Sequence, residues 1–297
     1  MVDILECPIC KHNDLQKFTR CKDYTVSHET FQISLCPNCA LGITTPRPNT
    51  NKLGEYYQSE EYISHSGKSS GGLGFVYRFA RSFSLNWKKA RIVNYKNKGS
   101  ILDFGCGTGE FLNTMQKSGW DITGVEPSDS ARLKAEILIA QKVYSSLDAV
   151  LSQKFDVITA WHAVEHVTDL TQTIVQLKSL LKKDGILFIA VPNYQSPDAR
   201  LYKEYWAGFD VPRHLWHFSK KTMSTLLQST GFKLINTTPM KLDAYYVSML
   251  SEKYKNNNVL NLVSLLKGFL SGLKSNFRAK NETNHSSLIY IAKVHEV

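Results

Sequence analysis

ILDFGCGTGEFL, residues 101–112, is the stretch on which the fold turns. An apolar strand-like run ends at Asp103 and Phe104, Gly105, Gly107 and Gly109 follow, and a helix is predicted to begin near Glu110. Glycines at this spacing let the main chain approach a ligand closely, and the helix start offers unpaired amides to it. Working outward, ITGVEPS (122–128) closes a second strand on Glu126, 21 residues after Gly105. A carboxylate there can accept hydrogen bonds from both hydroxyls of a ribose.

From Ser100 onward, short β-rich runs alternate with helical stretches, the pattern of a parallel sheet with crossover helices. Strands are predicted at 101–104, 121–126, 155–160, 185–191, 232–237 and 287–294, with a weaker one at 142–144, and helices after each of the first five. The expected class is α/β: a Rossmann-like, seven-stranded, mostly parallel sheet with helices on both faces over 99–297.

The ligand of the glycine loop is narrowed by charge. The dinucleotide fingerprint places a third glycine where this chain has Glu110, and a carboxylate at a helix start repels a pyrophosphate. Asp103 adds a second negative charge beside the loop. Both suit a cofactor that carries an amino group and a sulfonium, S-adenosylmethionine.

At these residues the chain resembles the class I S-adenosylmethionine-dependent methyltransferases. The resemblance rests on ILDFGCGTG, GVEPS, FDVITAWHAVEHV (155–167), LKKDGILFIAVPN (181–193) and FSKKTMSTLLQSTGFKLIN (218–236), and is nearest to the small-molecule group that contains ubiquinone-type O-methyltransferases. It implies cofactor contacts from Asp103, Gly105, Cys106, Gly107, Gly109 and Glu126, with Trp161 lying against the cofactor. It also implies a last strand that runs antiparallel. In the ubiquinone-type enzymes the loop after the fourth strand carries acidic residues and a histidine associated with a divalent metal; here His162 stands at the first acidic position, and Glu165 and His166 remain.

Two histidine clusters follow. WHAVEHV (161–167) matches the H-x-x-E-H pattern of inverted zinc peptidases, but it trails a buried strand where such enzymes have a helix, so peptidase chemistry is set aside. His166 is a candidate proton acceptor. FDVPRHLWHFSKKTM (209–223) places Arg213, His214 and His217 before a helix that Ser219 can cap, in a loop at the strand ends where acceptors bind in such sheets. A neutral histidine suits the removal of a proton from a methyl acceptor, and His214 is the candidate base. His214 also matches the catalytic histidine of sugar C-methyltransferases from deoxysugar pathways, which the cysteine-rich N-terminus and the YYQSEEY segment (56–62) resemble, whereas Val211 stands where those enzymes have a tyrosine. The resemblance points to O- or C-methylation of a sugar, nucleotide-sugar or glycan precursor. The alternatives are a lipid or quinone acceptor at a membrane surface, and a cofactor-binding protein without activity.

Five of the six cysteines precede residue 40, and four form the pairs Cys7/Cys10 (CPIC) and Cys36/Cys39 (CPNC). Two such pairs 25 residues apart can close tetrahedral geometry around one structural zinc ion, with no open position for chemistry. A zinc-ribbon module is expected over 1–45, then a linker and helical segment over 46–98 with a helix near Phe75 to Val93 and a flexible Gly/Ser joint at 66–74. Cys21 receives no role.

Between the last two strands, an insertion at about 240–285 contains VLNLVSLLKGFLSGL (259–273), apolar at helical spacing through Leu262, Leu265, Leu266, Phe269 and Leu273 and flanked by lysines. A cap helix packed on the domain or on a second subunit of a homodimer is one reading. Peripheral contact with an anionic membrane is the other. With 36 Lys and Arg against 26 Asp and Glu, the net charge of +10 fits anionic partners in general. Nucleic acid is not expected, because AWHA (160–163) occupies the place of the Pro-rich tetrapeptide that methylates base amines. The absence of an export signal pattern or a span-length apolar run predicts a cytoplasmic protein.

Overall fold

A computed structural model describes residues 1–57, 72–259 and 261–295, giving the backbone course alone for 72–81. The expected strands are all present: β4 (Ser100–Phe104), β5 (Asp121–Val125), β6 (Val143–Tyr144), β7 (Phe155–Trp161), β8 (Leu181–Pro192), β10 (Phe232–Pro239) and β11 (Ser287–Val294). They form one sheet in the order β10-β11-β8-β7-β4-β5-β6, with β11 antiparallel to both neighbours. β8 starts four residues earlier than its apolar run, because Leu181 already pairs with Phe155 before the register shift.

Side chains along the central strands alternate between two cores, as a period of two requires. Leu102, Ile158 and Leu187 face one buried cluster, and Ile101, Val157 and Ile186 face the other. The first is closed by Ile174 and Leu177 of α4 (Leu170–Ser179) and by Met223 and Leu226 of α6 (Lys220–Ser229). Ile92 of α1 (Gly72–Val93), Leu112 and Met115 of α2 (Glu110–Lys117) and Ala135 of α3 (Asp129–Ile139) close the second. Strands buried on both faces explain why β7 and β8 read as nearly continuous apolar runs. Helix α1 begins three residues before the predicted start; the part of the expected joint before Gly72 lies outside the described residues.

The N-terminal segment contributes β1 (Gln16–Lys22), β2 (Thr30–Leu35) and β3 (Gly42–Thr44) to a second sheet. Its fourth strand, β9 (Trp216–His217), comes from the loop that follows α5 (Pro197–Tyr202), and Gly42 and Ile43 pair with His217 and Trp216. A Cβ at Gly42 would lie 2.8 Å from that of His217, so the close strand approach requires glycine. The cysteine module and the loop that carries β9 are therefore one β-structure sharing one core, in which Cys7, Cys36, Cys39 and Leu41 pack with Leu215, Trp216 and Phe218. The insertion folds as two helices, α7 (Lys241–Lys255) and α8 (Leu262–Ala279).

Candidate functional site

The glycine loop and Glu126 form one piece. Gly105, Gly107 and Gly109 hold φ of +73°, +55° and +83°, in the left-handed region. A Cβ at Gly105 would press within 2.6 Å of the Ala163 side chain, whereas one at Gly107 would meet nothing within 4 Å, so open space lies over the middle of the loop. The Gly107 amide donates to Glu126 Oε2 and the Ser128 amide to Oε1, both at 2.9 Å. Burial raises the Glu126 pKa against those two hydrogen bonds, and each oxygen retains a lone pair for a further donor.

Asp103 is buried at the end of β4, where the Thr159 hydroxyl donates to it at 2.6 Å; burial pushes its pKa up to about 7. Cys106 puts its thiol in the core, against Gly124 and Leu112, which leaves its main chain alone to meet a ligand. Trp161 is buried at the end of β7 with Phe111 edge-on at 5.4 Å, and the ammonium of Lys88 stands 4.7 Å over its ring. Lys88 carries a pKa lowered by burial, with Asp243 and Asp103 pulling it back. Nothing in the basic sequence of α1 marks Lys88 off from Lys89 or Arg91. Only the docking of α1 brings it to the two carboxylates.

The H-x-x-E-H segment is not an α-helix. His162 sits in a turn at φ +54°, and residues 164–166 form a short 3₁₀ turn. Its Nδ1 and Nε2 are engaged by Glu165 at 3.2 Å and by Asp243 at 3.0 Å, so His162 cannot join His166 as a peptidase zinc ligand. Burial alone would lower the His162 pKa, but the two carboxylates hold it up at about 9. Asp243, in the first turn of α7, is a site neighbour that the sequence did not flag.

His166 instead meets His214, their ring centroids 4.7 Å apart at an interplanar angle of 77°. Nδ1 of His166 lies 3.0 Å from the Arg213 carbonyl and from the Tyr57 hydroxyl, and Nδ1 of His214 lies 3.0 Å from the Gly208 carbonyl. A carbonyl only accepts, so the proton of each neutral imidazole belongs on Nδ1 and Nε2 carries the lone pair; Nε2 of His214 stands 3.9 Å from Asp210 Oδ2. Burial, with His214 alongside, pulls the His166 pKa down to about 4. Glu165 completes the cluster: its side chain is fully buried, Oε2 has no hydrogen-bond partner among the described residues, and donor atoms of Glu165, His166 and His214 lie within 4.8 Å of one another. His217 stands apart, fully enclosed and bonded to the Thr44 hydroxyl at 2.9 Å, as a structural residue of β9.

The family described as a methyltransferase domain matches residues 78–237, more than half of the chain. The chain belongs to the S-adenosylmethionine-dependent methyltransferases. It is 32% identical over 185 residues to the ubiquinone biosynthesis O-methyltransferase of Actinobacillus pleuropneumoniae serotype 7, covering 56% of this chain and 78% of that protein. It is 30% identical over 179 residues to the protein of that name from Pelagibacter ubique, covering 52% and 75%. Among solved structures, magnesium protoporphyrin IX methyltransferase from Synechocystis PCC 6803, with bound SAH, superposes with a TM-score of 0.54 over 84% of this chain and 100% of that one. At 14% identity that likeness concerns the fold alone.

In the methyltransferase the loop before β9 is tied to the cysteine module by a buried guanidinium. Arg213 donates through Nε to both oxygens of Asp210 and through Nη2 to Asp23 Oδ1, each at 3.0 Å, and through Nη1 to the Tyr56 carbonyl at 3.0 Å. The module's four sulfurs converge as the spacing predicted. Cys7 and Cys39 lie 3.4 Å apart, as do Cys10 and Cys36, and all four fall within 4.8 Å of one another without a disulfide. Both knuckles repeat one turn, in which the amide of Lys11 or Ala40 donates to the carbonyl of Cys7 or Cys36 and that residue takes φ near +60°. Hydroxyls from the sheet domain hold them: Thr171 donates to the Pro8 carbonyl, and Thr222 and Tyr194 to that of Ala40. Cys21, by contrast, is a buried thiol pushed up to about 12.

Proposed function

We propose that the methyltransferase transfers the methyl group of S-adenosylmethionine to a hydroxyl of a small-molecule acceptor, with His214 as the base. The observation that carries this reading is the Nδ1 contact of His214 with the Gly208 carbonyl, which fixes the tautomer whose Nε2 can take a proton. The cofactor, when bound, supplies an electrophilic methyl carbon whose bond to sulfur breaks as the acceptor oxygen attacks. Glu126, oriented by the Gly107 amide, would hold its ribose side, and Asp103 its amino group. His214 receives the acceptor proton, and His166 shapes the same space. The hydroxyl acceptor follows the names of the ubiquinone-pathway relatives. A sugar framework follows the likeness of the N-terminal module to sugar methyltransferases.

The four cysteines fit zinc because their four sulfurs converge without a disulfide between them, and the ion would brace the module. No helix among the described residues is long and apolar enough to cross a membrane.

Substitution of His214 by alanine should lower kcat by roughly 10²–10⁴-fold, while the melting shift produced by saturating S-adenosylmethionine persists. A kcat within tenfold of the parent's would remove His214 from the chemistry. A second reading is favoured by the orphan Oε2 of Glu165: a divalent cation held by Glu165, His166 and His214, which would polarise the acceptor oxygen. Loss of activity on chelation, restored by that cation with the cysteine-bound zinc still counted, would select it.

Asp103 makes cofactor affinity depend on pH. A carboxyl with a pKa of about 7 must lose its proton to face a cationic amino group, so affinity should rise several-fold from pH 6 to pH 7.5. Asp103→Asn should flatten that profile. A parallel rise in the variant would assign it to another group.

A further inference from the structure

We infer that α8 seats the methyltransferase on the surface of an anionic lipid bilayer. The helix is built the wrong way round for a soluble cap. At 100° per residue its small residues, Ser264, Gly268, Gly272, Ser275 and Ala279, gather on one side, and all are buried. The large apolar residues gather on the opposite side in an arc of about 120°, and they face outward. Leu262 is 81% exposed and Phe277 80%, with Val263, Leu266, Phe269 and Leu273 between them at 49–61%.

Packing fixes this orientation. A Cβ at Gly268 would lie 2.5 Å from Met249 Cα, and one at Gly272 2.7 Å from Tyr245 Cα, so α7 and α8 touch backbone to backbone. The inner face is also bonded: Ser275 donates to buried Asp198 at 2.6 Å, and Asn276 to the Lys241 carbonyl at 2.9 Å. Rolling the helix to hide its leucines would break these hydrogen bonds and drive bulky side chains into α7. The outward arc is thus a persistent feature of the fold, and contiguous apolar surface of this kind marks an interaction site.

Charge selects the occupant. Lys267, Lys274 and Arg278 are exposed along one margin of the arc, and α8 contains no acidic residue. A second copy would set cations against cations across a shared face. An anionic bilayer instead accepts the leucines and phenylalanines among its acyl chains and the ammonium groups among its head groups. At 18 residues and with this polarity, α8 lies along the surface and does not cross. The same helical hairpin reaches the site through Asp243, so docking would hold the site's border at the lipid surface. This proposal does not depend on the role of His214.

The test is sedimentation of the full-length protein with vesicles of phosphatidylcholine alone and of phosphatidylcholine with phosphatidylglycerol, at low and high salt. Binding is expected on the anionic vesicles, weakened by salt and much weaker on neutral ones. Leu266→Gln with Phe277→Gln should reduce partitioning at least tenfold with unchanged melting temperature and cofactor-induced shift. Lys267→Gln with Lys274→Gln should reduce it roughly thirtyfold on anionic vesicles only. No partitioning on any vesicle overturns the proposal, as does partitioning that the apolar pair leaves unchanged. A concentration-dependent dimer dissolved by that same pair also overturns it, giving the face to a second copy.

Discussion

Replacement of Arg213 by methionine is expected to cost about 3–5 kcal/mol of folding stability, the range for removing one partner of a buried ion pair. The guanidinium is enclosed, and Asp23, on the far side of it, is buried as well. Burial alone would raise the pKa of both Asp23 and Asp210, yet Arg213 holds each below the usual carboxylate range. In the parent these depressed groups add stability above their unfolded values, and it is lost as pH falls through the folded ones. In the variant Asp23 is left buried without its cation, its folded pKa rises, and stability is lost as pH increases. The gap between parent and variant should therefore narrow on going from pH 7 toward pH 4.5. Chemical denaturation at several pH values measures this, and adding Asp23→Asn should recover part of the loss. A deficit under about 1 kcal/mol would show that the network is not needed to join module and domain.

The second large effect is on zinc. Stripping the ion proposed for Cys7, Cys10, Cys36 and Cys39 should lower the melting temperature by more than about 10 °C, since a structural zinc contributes folding free energy directly and each kcal/mol shifts a chain of this size by about 2–4 °C. The damage should spread beyond the module. β3 pairs with β9, and the loop carrying His214 hangs from the same strand, so activity should vanish with the metal. Elemental analysis is expected to find about one zinc per chain, and cobalt replacement should give a tetrathiolate spectrum. Protein that is free of zinc yet melts at the same temperature would refute the assignment.

The amino-acid sequence alone determined the seven strands, the glycine loop with Glu126, and the two cysteine pairs. These signals are local: apolar runs of strand length, glycines at fixed spacing and thiols two residues apart are written within a few neighbouring positions. Pairings over long separations were decided only in three dimensions. His166 faces His214 because the turn after β7 and the loop before β9 fold over one another, and Arg213 reaches Asp23 because β9 completes the N-terminal sheet. Asp243 and Lys88 come to the site from helices whose sequences do not distinguish them. For α8, apolar spacing foretold a helix, but the backbone contacts of Gly268 and Gly272 decided that its large side chains point outward. Periodicity says which residues share a face, and packing against a neighbour says which way that face looks.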